Sequence, residues 1–367
     1  MKRTTVLTIM ILLCTFILLS GCTAPEYTPP DYSGVFWPAA PALKRIQLKN
    51  VITSDLDIRP PSPSEQMFGN IMTFRFKKPM DVAIDTRGIM YVSDGYHHDV
   101  FALDPNNQTI RSFTVKGEFK NPYAIAVDNK NNLIAISDKT YVKIYTLSDR
   151  RAIITLGAKG KIFKNIAGID FDPENKFFYV SDSKMHRVLR FSYDDWDNPK
   201  IITHFGSEKG GVYYPSHVAV SPEGLLYVVD TMHWRISIFD TEGNYVKSFG
   251  EHGDSPGMFG RPKGITISQE GFVFVSDGDF NVIQVFNKDG WPALVFGGLG
   301  GAPGRFTNPA GMAIVDNTIY IIDQTGRRLQ VFDVYSDKYY QDISEKSLEE
   351  LSKDPNEDED EDENNIQ

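Results

Sequence analysis

The side chains of this 367-residue chain best suited to chemistry are histidines and aromatic residues set in short polar stretches: Tyr96, His97 and His98, Tyr123, Tyr141, His186, His217, His233 and Trp234, and Phe280. Imidazoles ligate metals or relay protons, and three that converged would make a zinc site. Rings with a polar edge are good anchors for a partner. Several other chemistries are excluded. Both cysteines, Cys14 and Cys22, lie within the first 22 residues, so the rest of the chain has no thiol nucleophile, redox pair or thiolate metal site. No Ser-His-Asp geometry is legible, no Gly-rich phosphate turn opens a helix, and no basic groove with stacking rings is present, so nucleic acid is not an expected partner.

These residues are positioned by a repeat. An apolar run ending in Asp recurs six times, as MYVSD, IAISD, FYVSD, YVVD, VFVSD and YIID, ending at Asp94, Asp138, Asp182, Asp230, Asp277 and Asp323, at intervals of 44 to 48 residues. Upstream of each lies a short apolar stretch opened by Pro79, Pro122, Pro215, Pro262 or Pro309, with Ile166 in place of the missing proline. Downstream come a third stretch, such as RVLRF from Arg187, RISIFD from Arg235 and RLQVF from Arg328, and a fourth that often ends in Phe-Gly. Four short strands rich in Val, Ile, Tyr and Phe make one antiparallel sheet, which cannot cover its own two faces. Six such sheets arranged radially cover one another. The expected fold is an all-β, six-bladed propeller of four-stranded blades, with repeats over about residues 71–332 of a domain spanning residues 42–343.

The copies resemble NHL repeats, best in blades 5 and 6, where FGRPKGITIS, VFVSDGDFNVIQVF, FTNPAGMAIVD and YIIDQTGRRLQVF follow the Phe-x-x-Pro-x-Gly, Tyr-Val-x-Asp and Arg-Ile-Gln-Val-Phe pattern. The resemblance implies the propeller fold and pairing of Arg187, Arg235 and Arg328 with acidic groups near the blade junctions. The repeated Asp residues themselves read as strand-end acceptors for loop amides. A closed ring must also join its ends, or two sheet edges stay unpaired. Residues Lys44 to Ile52, KRIQLKNVI, alternate like a strand and belong to no repeat, so they are expected to supply the outer strand of the sixth blade; Lys338 to Ile343 is the competing segment.

The ends have their own character. Lys2 and Arg3, an apolar run to Leu19 and then Ser20, Gly21 and Cys22 read as an export signal over residues 1–21. Its end resembles a bacterial lipobox, which implies acylation of Cys22 and, with Thr23 following, the outer membrane in a Gram-negative host. Residues 22–41 are Pro-rich and read as a tether, with Phe36 and Trp37 docking on the domain. Residues 344–367 read as a short helix followed by an acidic tail with eight carboxylates. Without Lys2, Arg3 and those eight acids, the net charge falls in magnitude from -10 to about -4.

The leading expectation is a monomeric, lipid-anchored scaffold of the cell envelope, with no cofactor, that uses the loops between second and third strands to bind a protein or glycan. The alternative is a metal-dependent propeller enzyme similar to the peptidyl-hydroxyglycine lyase or to lactonases. Against a zinc lyase, the residues after the strand-opening prolines are Met80, Tyr123, Ser216, Lys263 and Ala310, with only His217 nearby. For a lactonase-type calcium site the axial positions offer chiefly Asp81.

Overall fold

A computed structural model describes residues 29–69, 74–157 and 162–341. The export signal, Cys22, the first residues of the tether, and the helix and acidic tail expected beyond Ile343 lie outside the described residues. Six sheets follow one another in chain order. Blade 1 comprises Pro79–Ile84, Met90–Asp94, Asp99–Asp104 and Thr109–Ser112, paired antiparallel in that order. Blades 2 to 5 repeat the arrangement from Ile125, Ile166, Pro215 and Pro262.

Blade 6 takes its first three strands, Pro309–Val315, Thr318–Asp323 and Arg328–Val334, from the end of the chain, and its outer strand, Ile46–Ile52, from the beginning. Leu48 pairs with Phe332 and Ile52 with Leu329. The alternation read in KRIQLKNVI is therefore real, with Ile46, Leu48 and Ile52 buried. The competing segment turns helical from Asp337 and holds the closing strand from outside through Tyr340, whose hydroxyl donates to the Lys44 carbonyl at 2.5 Å. Phe36–Trp37 adds a fifth strand to this sheet, and Trp37 packs 5.7 Å from the Phe296 ring and 6.1 Å from Phe332.

Packing confirms closure. The buried apolar residues fall into six clusters, and each spans one seam between adjacent blades. The seam between the last blade and the first joins Ile322, Leu329 and Val331 to Val82, Met90 and Leu103. Each seam is wedged by the residue three places before Pro79, Pro122, Ile166, Pro215, Pro262 or Pro309: Phe76, Phe119, Phe163, Val212, Phe259 and Phe306, all at most 3% exposed. At the axis the first strands approach so closely that a Cβ on Gly264 would overlap the Ala310 carbonyl, and one on Gly311 would overlap Asp81.

A helical excursion also lies outside the repeat. Between the closing strand and blade 1, Pro63–Phe68 forms a short helix whose cap is reciprocal, with Ser62 Oγ accepting from the Glu65 amide and Glu65 from that of Ser62. Arg59 binds Asp55 and Glu65 at 3.0 and 2.8 Å and ties this excursion together.

The repeated Asp residues are the internal struts of the blades. All six are at most 4% exposed. Asp182 accepts from the amides of Lys164, Asn165 and Met185 at 2.7, 2.9 and 3.2 Å, which joins the lead-in of its blade to the turn after its second strand. Asp94 and Asp277 make the same double clamp. Arg235 and Arg328 pair with Asp230 and Asp323 at 3.0 and 3.1 Å, whereas Arg187 donates to the Ile162 carbonyl at 2.7 Å. Removal of such a carboxylate leaves several buried amides without acceptors. Asp182→Ala is therefore expected to lower stability by about 3 kcal/mol, read as a fall in the thermal unfolding midpoint by circular dichroism; an unchanged midpoint would show that the clamp is dispensable.

Candidate functional site

The first strands run along the axis and leave an opening at each end of the ring. On the side where the chain leads into these strands, a cavity of about 320 Å³ is lined by Met80, Tyr123, Ser216 and Lys263, each the residue after a repeat proline, and by Lys78, Lys139 and Arg261 at its edge. On the far side, a cavity of about 430 Å³ is lined by the remainder of the first strands and by Asp81, Asp170, His217 and Asp316. The two ends thus differ in charge. The lead-in cavity has four cationic side chains and no carboxylate in its lining, and the far cavity has three carboxylates.

Lys263 is the innermost of these cations. Its ammonium donates to the side-chain oxygens of Asn308 at 3.1 Å and Gln324 at 2.9 Å, both neutral acceptors. Burial lowers its pKa to about 8, the Arg261 charge adds to the fall, and Asp323 and Asp279 oppose it. Lys78 and Lys139 are exposed and make no ion pair among the described residues, whereas Arg261 binds Asp279 at 2.8 Å. Tyr123 leans over the cavity and stacks on the His217 ring at 6.4 Å, and burial pushes its phenol up to about 12.

Between the two cavities, blades 1 and 4 meet across the axis. His217 Nε2 lies 3.6 Å from Asp81 Oδ2 and has no hydrogen-bond partner, while Nδ1 sits 3.1 Å from the Lys263 carbonyl. Asp81 accepts from the amides of Val82 at 2.9 Å and Ile125 at 3.0 Å. Asp170 accepts from the amides of Phe171 and Val220. Burial nonetheless pushes its carboxyl up to about 7, and the neighbouring charges of Asp172 and Asp81 add to the rise.

The residues singled out by sequence divide by their place in the blade. Tyr123, just ahead of the first strand of blade 2, and His217, on that of blade 4, reach the axis. The residues of the loops between second and third strands stay on the rim, where most bind the lead-in segments. His97 lies 3.3 Å from Asp94 and packs on Phe74 and Phe101; His98 Nδ1 contacts the Lys120 carbonyl. Tyr141 donates to the Glu118 carbonyl at 2.9 Å and to Asp138 at 3.2 Å, with its ring stacked on Phe119. His186 accepts from the Tyr214 amide at 3.0 Å, and His233 binds Asp230 at 2.8 Å. Trp234 donates to the Gly260 carbonyl at 3.0 Å and packs into the seam between blades 4 and 5. Tyr96, His98 and Phe280 keep exposed rings, Tyr96 at 64% and Phe280 at 38%. The imidazoles do not converge, and among the described residues no three His, Cys, Asp or Glu side chains gather to hold a metal.

Sequence reasoning passed over Lys78, Lys139, Arg261 and Asp170. A signal existed for three of them: Lys78 and Arg261 adjoin a strand-opening proline, as Lys263 does, and Lys139 follows a repeated Asp.

The fold has known counterparts. A family model described as SMP-30/Gluconolactonase/LRE-like region matches residues 143–250, from the third strand of blade 2 through blade 4. An auxiliary nutrient binding protein from Bacteroides thetaiotaomicron is similar with a TM-score of 0.57 at 14% identity, over 79% of this chain and 78% of that one. A gluconolactonase from Xanthomonas campestris matches with a TM-score of 0.55 at 15% identity, over 78% and 98%. A catalytically inactive His-to-Ala variant of virginiamycin B lyase from Staphylococcus aureus, solved with quinupristin, matches with a TM-score of 0.54 at 12% identity, over 71% and 97%. At these identities the likeness is one of fold: the chain is a six-bladed β-propeller.

Two outcomes follow from the geometry. Native Asp170 holds its proton to higher pH than an unfolded-chain aspartate, so stability falls as pH rises from about 4 to about 7. In Asp170→Asn that decline shrinks, and the thermal midpoint relative to the parent rises between pH 4 and pH 8; a difference that does not vary with pH would contradict the assignment. Trp234→Ala, which removes a seam contact and a hydrogen bond, is expected to cost about 3 kcal/mol, measured by thermal denaturation.

Proposed function

We propose that the protein is a binding propeller of the bacterial cell envelope, anchored through an acylated Cys22, that captures an anionic ligand in the axial cavity on its lead-in side. The observation that carries this reading is the lining of that cavity: Lys78, Lys139, Arg261 and Lys263 converge with no carboxylate among them. The charge is local, since the chain as a whole is acidic at -10, and a concave site of one sign attracts its counter-ion more strongly than scattered surface charges do. The size is that of a small-molecule site, at the lower end of the usual range of about 300–1,000 Å³. The Ser20-Gly21-Cys22 sequence supports the anchor, and the NHL-type copies in blades 5 and 6 support a rigid ring that presents a preformed cavity.

A second reading, a propeller enzyme of the lactonase or lyase kind, draws on the buried Asp81 and His217 pair, in which an imidazole nitrogen without a partner faces a carboxylate at 3.6 Å. Turnover of a lactone or an eliminating ester that is lost in His217→Ala would put this reading first.

Binding is tested by calorimetric titration of the protein with a panel of polycarboxylates at low salt. Saturable binding is expected, weakened about tenfold by Lys263→Met. It is also expected to weaken as pH rises through about 8, where Lys263 loses its charge. Equal affinity in parent and variant would remove the cavity from consideration.

A further inference from the structure

Beside the cavity the ring carries an apolar ledge. The connection from blade 3 to blade 4 runs from His204–Phe205 to Gly211–Val212, two short strands paired parallel, and continues through Tyr213 and Tyr214 into the first strand of blade 4. Phe205, Tyr213 and Tyr214 are 64%, 38% and 40% exposed, high for large rings. They are held in place: the His186 ring lies 5.1, 5.0 and 6.2 Å from them, Phe205 and Tyr213 are 5.5 Å apart, and the Tyr214 amide donates to His186. Tyr214 is also part of the cavity wall. The ledge therefore leads outward from the cationic cavity without a break.

We propose, resting on the reading of the cavity as an anion site, that the ligand is an acidic oligosaccharide: one uronate carboxylate sits in the cavity against Lys263 and Arg261, and the next sugar rings lie on Tyr214, Tyr213 and Phe205. Each part of the surface matches one part of such a chain. The cations match the carboxylate. The amides of Asn121 and Asn165 in the cavity wall offer donors and acceptors to ring hydroxyls. The rings cover the apolar C–H faces of the sugars while the tyrosine hydroxyls stay in water. The same surface suits an acidic peptide less well, because the ledge is a row of flat rings rather than a sheet edge or groove that could pair with a backbone.

The test titrates the full-length protein with trigalacturonate, a hyaluronan tetrasaccharide, galacturonate, neutral galactotriose and a hexaglutamate peptide. At least one acidic oligosaccharide is expected to bind about a hundredfold tighter than galactotriose and tighter than hexaglutamate. Phe205→Ala and Tyr213→Ala are expected to weaken the oligosaccharide about tenfold and leave galacturonate unchanged, whereas Lys263→Met weakens both. The proposal is overturned if the peptide binds best, if the neutral sugar binds as well, or if the ledge variants bind the oligosaccharide like the parent. Should polycarboxylates bind at Lys263 while no acidic sugar does, the sugar assignment falls and the anion site stands; should neither bind, both fall.

Discussion

A buried carboxylate at the end of each second strand is the constraint on which the ring depends. The strand itself is covered on both faces, so its end must stop the sheet without leaving backbone donors in the seam. Asp94, Asp138, Asp182, Asp230, Asp277 and Asp323 do this by accepting from amides of the lead-in to their blade, and all but Asp230 also from amides of the turn that follows. A negative charge buried at no more than 4% exposure is tolerable because several N–H dipoles converge on it. The result fixes the distance between the first strand's beginning and the second strand's end in every blade. That distance places the residue after the strand opening at the mouth of the axis.

The axis is consequently polarised. Lys263, Lys78, Lys139 and Arg261 face one end, while Asp81, Asp170 and Asp316 line the other. Burial acts on the two ends in opposite directions, lowering the pKa of Lys263 and raising that of Asp170, because in each case it disfavours the charged form. Asp81 and His217 span the interior between them, held by backbone groups of blades 2 and 5. A rigid ring can maintain such groups in place without rearrangement, since every first strand is packed against two neighbours.

Rim and axis therefore have different duties. Tyr141, His98, His186 and Trp234 look from sequence like an aromatic binding face, yet each spends its polar atom on a backbone group of a lead-in segment. Trp234 shows the cause: its left-handed backbone, at φ 52, turns the indole toward the Gly260 carbonyl instead of solvent. Composition identified residues with binding chemistry but could not indicate whether a neighbouring loop had already used it.

The number of blades, the phase of the strands, the strand-end role of the Asp residues and the N-terminal origin of the closing strand were all legible in sequence. Each is a local pattern: a two-residue alternation, a regular interval, or an unpaired segment left over after the repeats are assigned. Which side chains meet was decided only by the tertiary structure. Asp81 and His217 stand 136 residues apart, and Lys78 and Lys263 lie in separate blades; they become neighbours because closure of the ring brings all six first strands to one axis. No local pattern encodes that convergence, since it depends on the curvature accumulated over the whole circle.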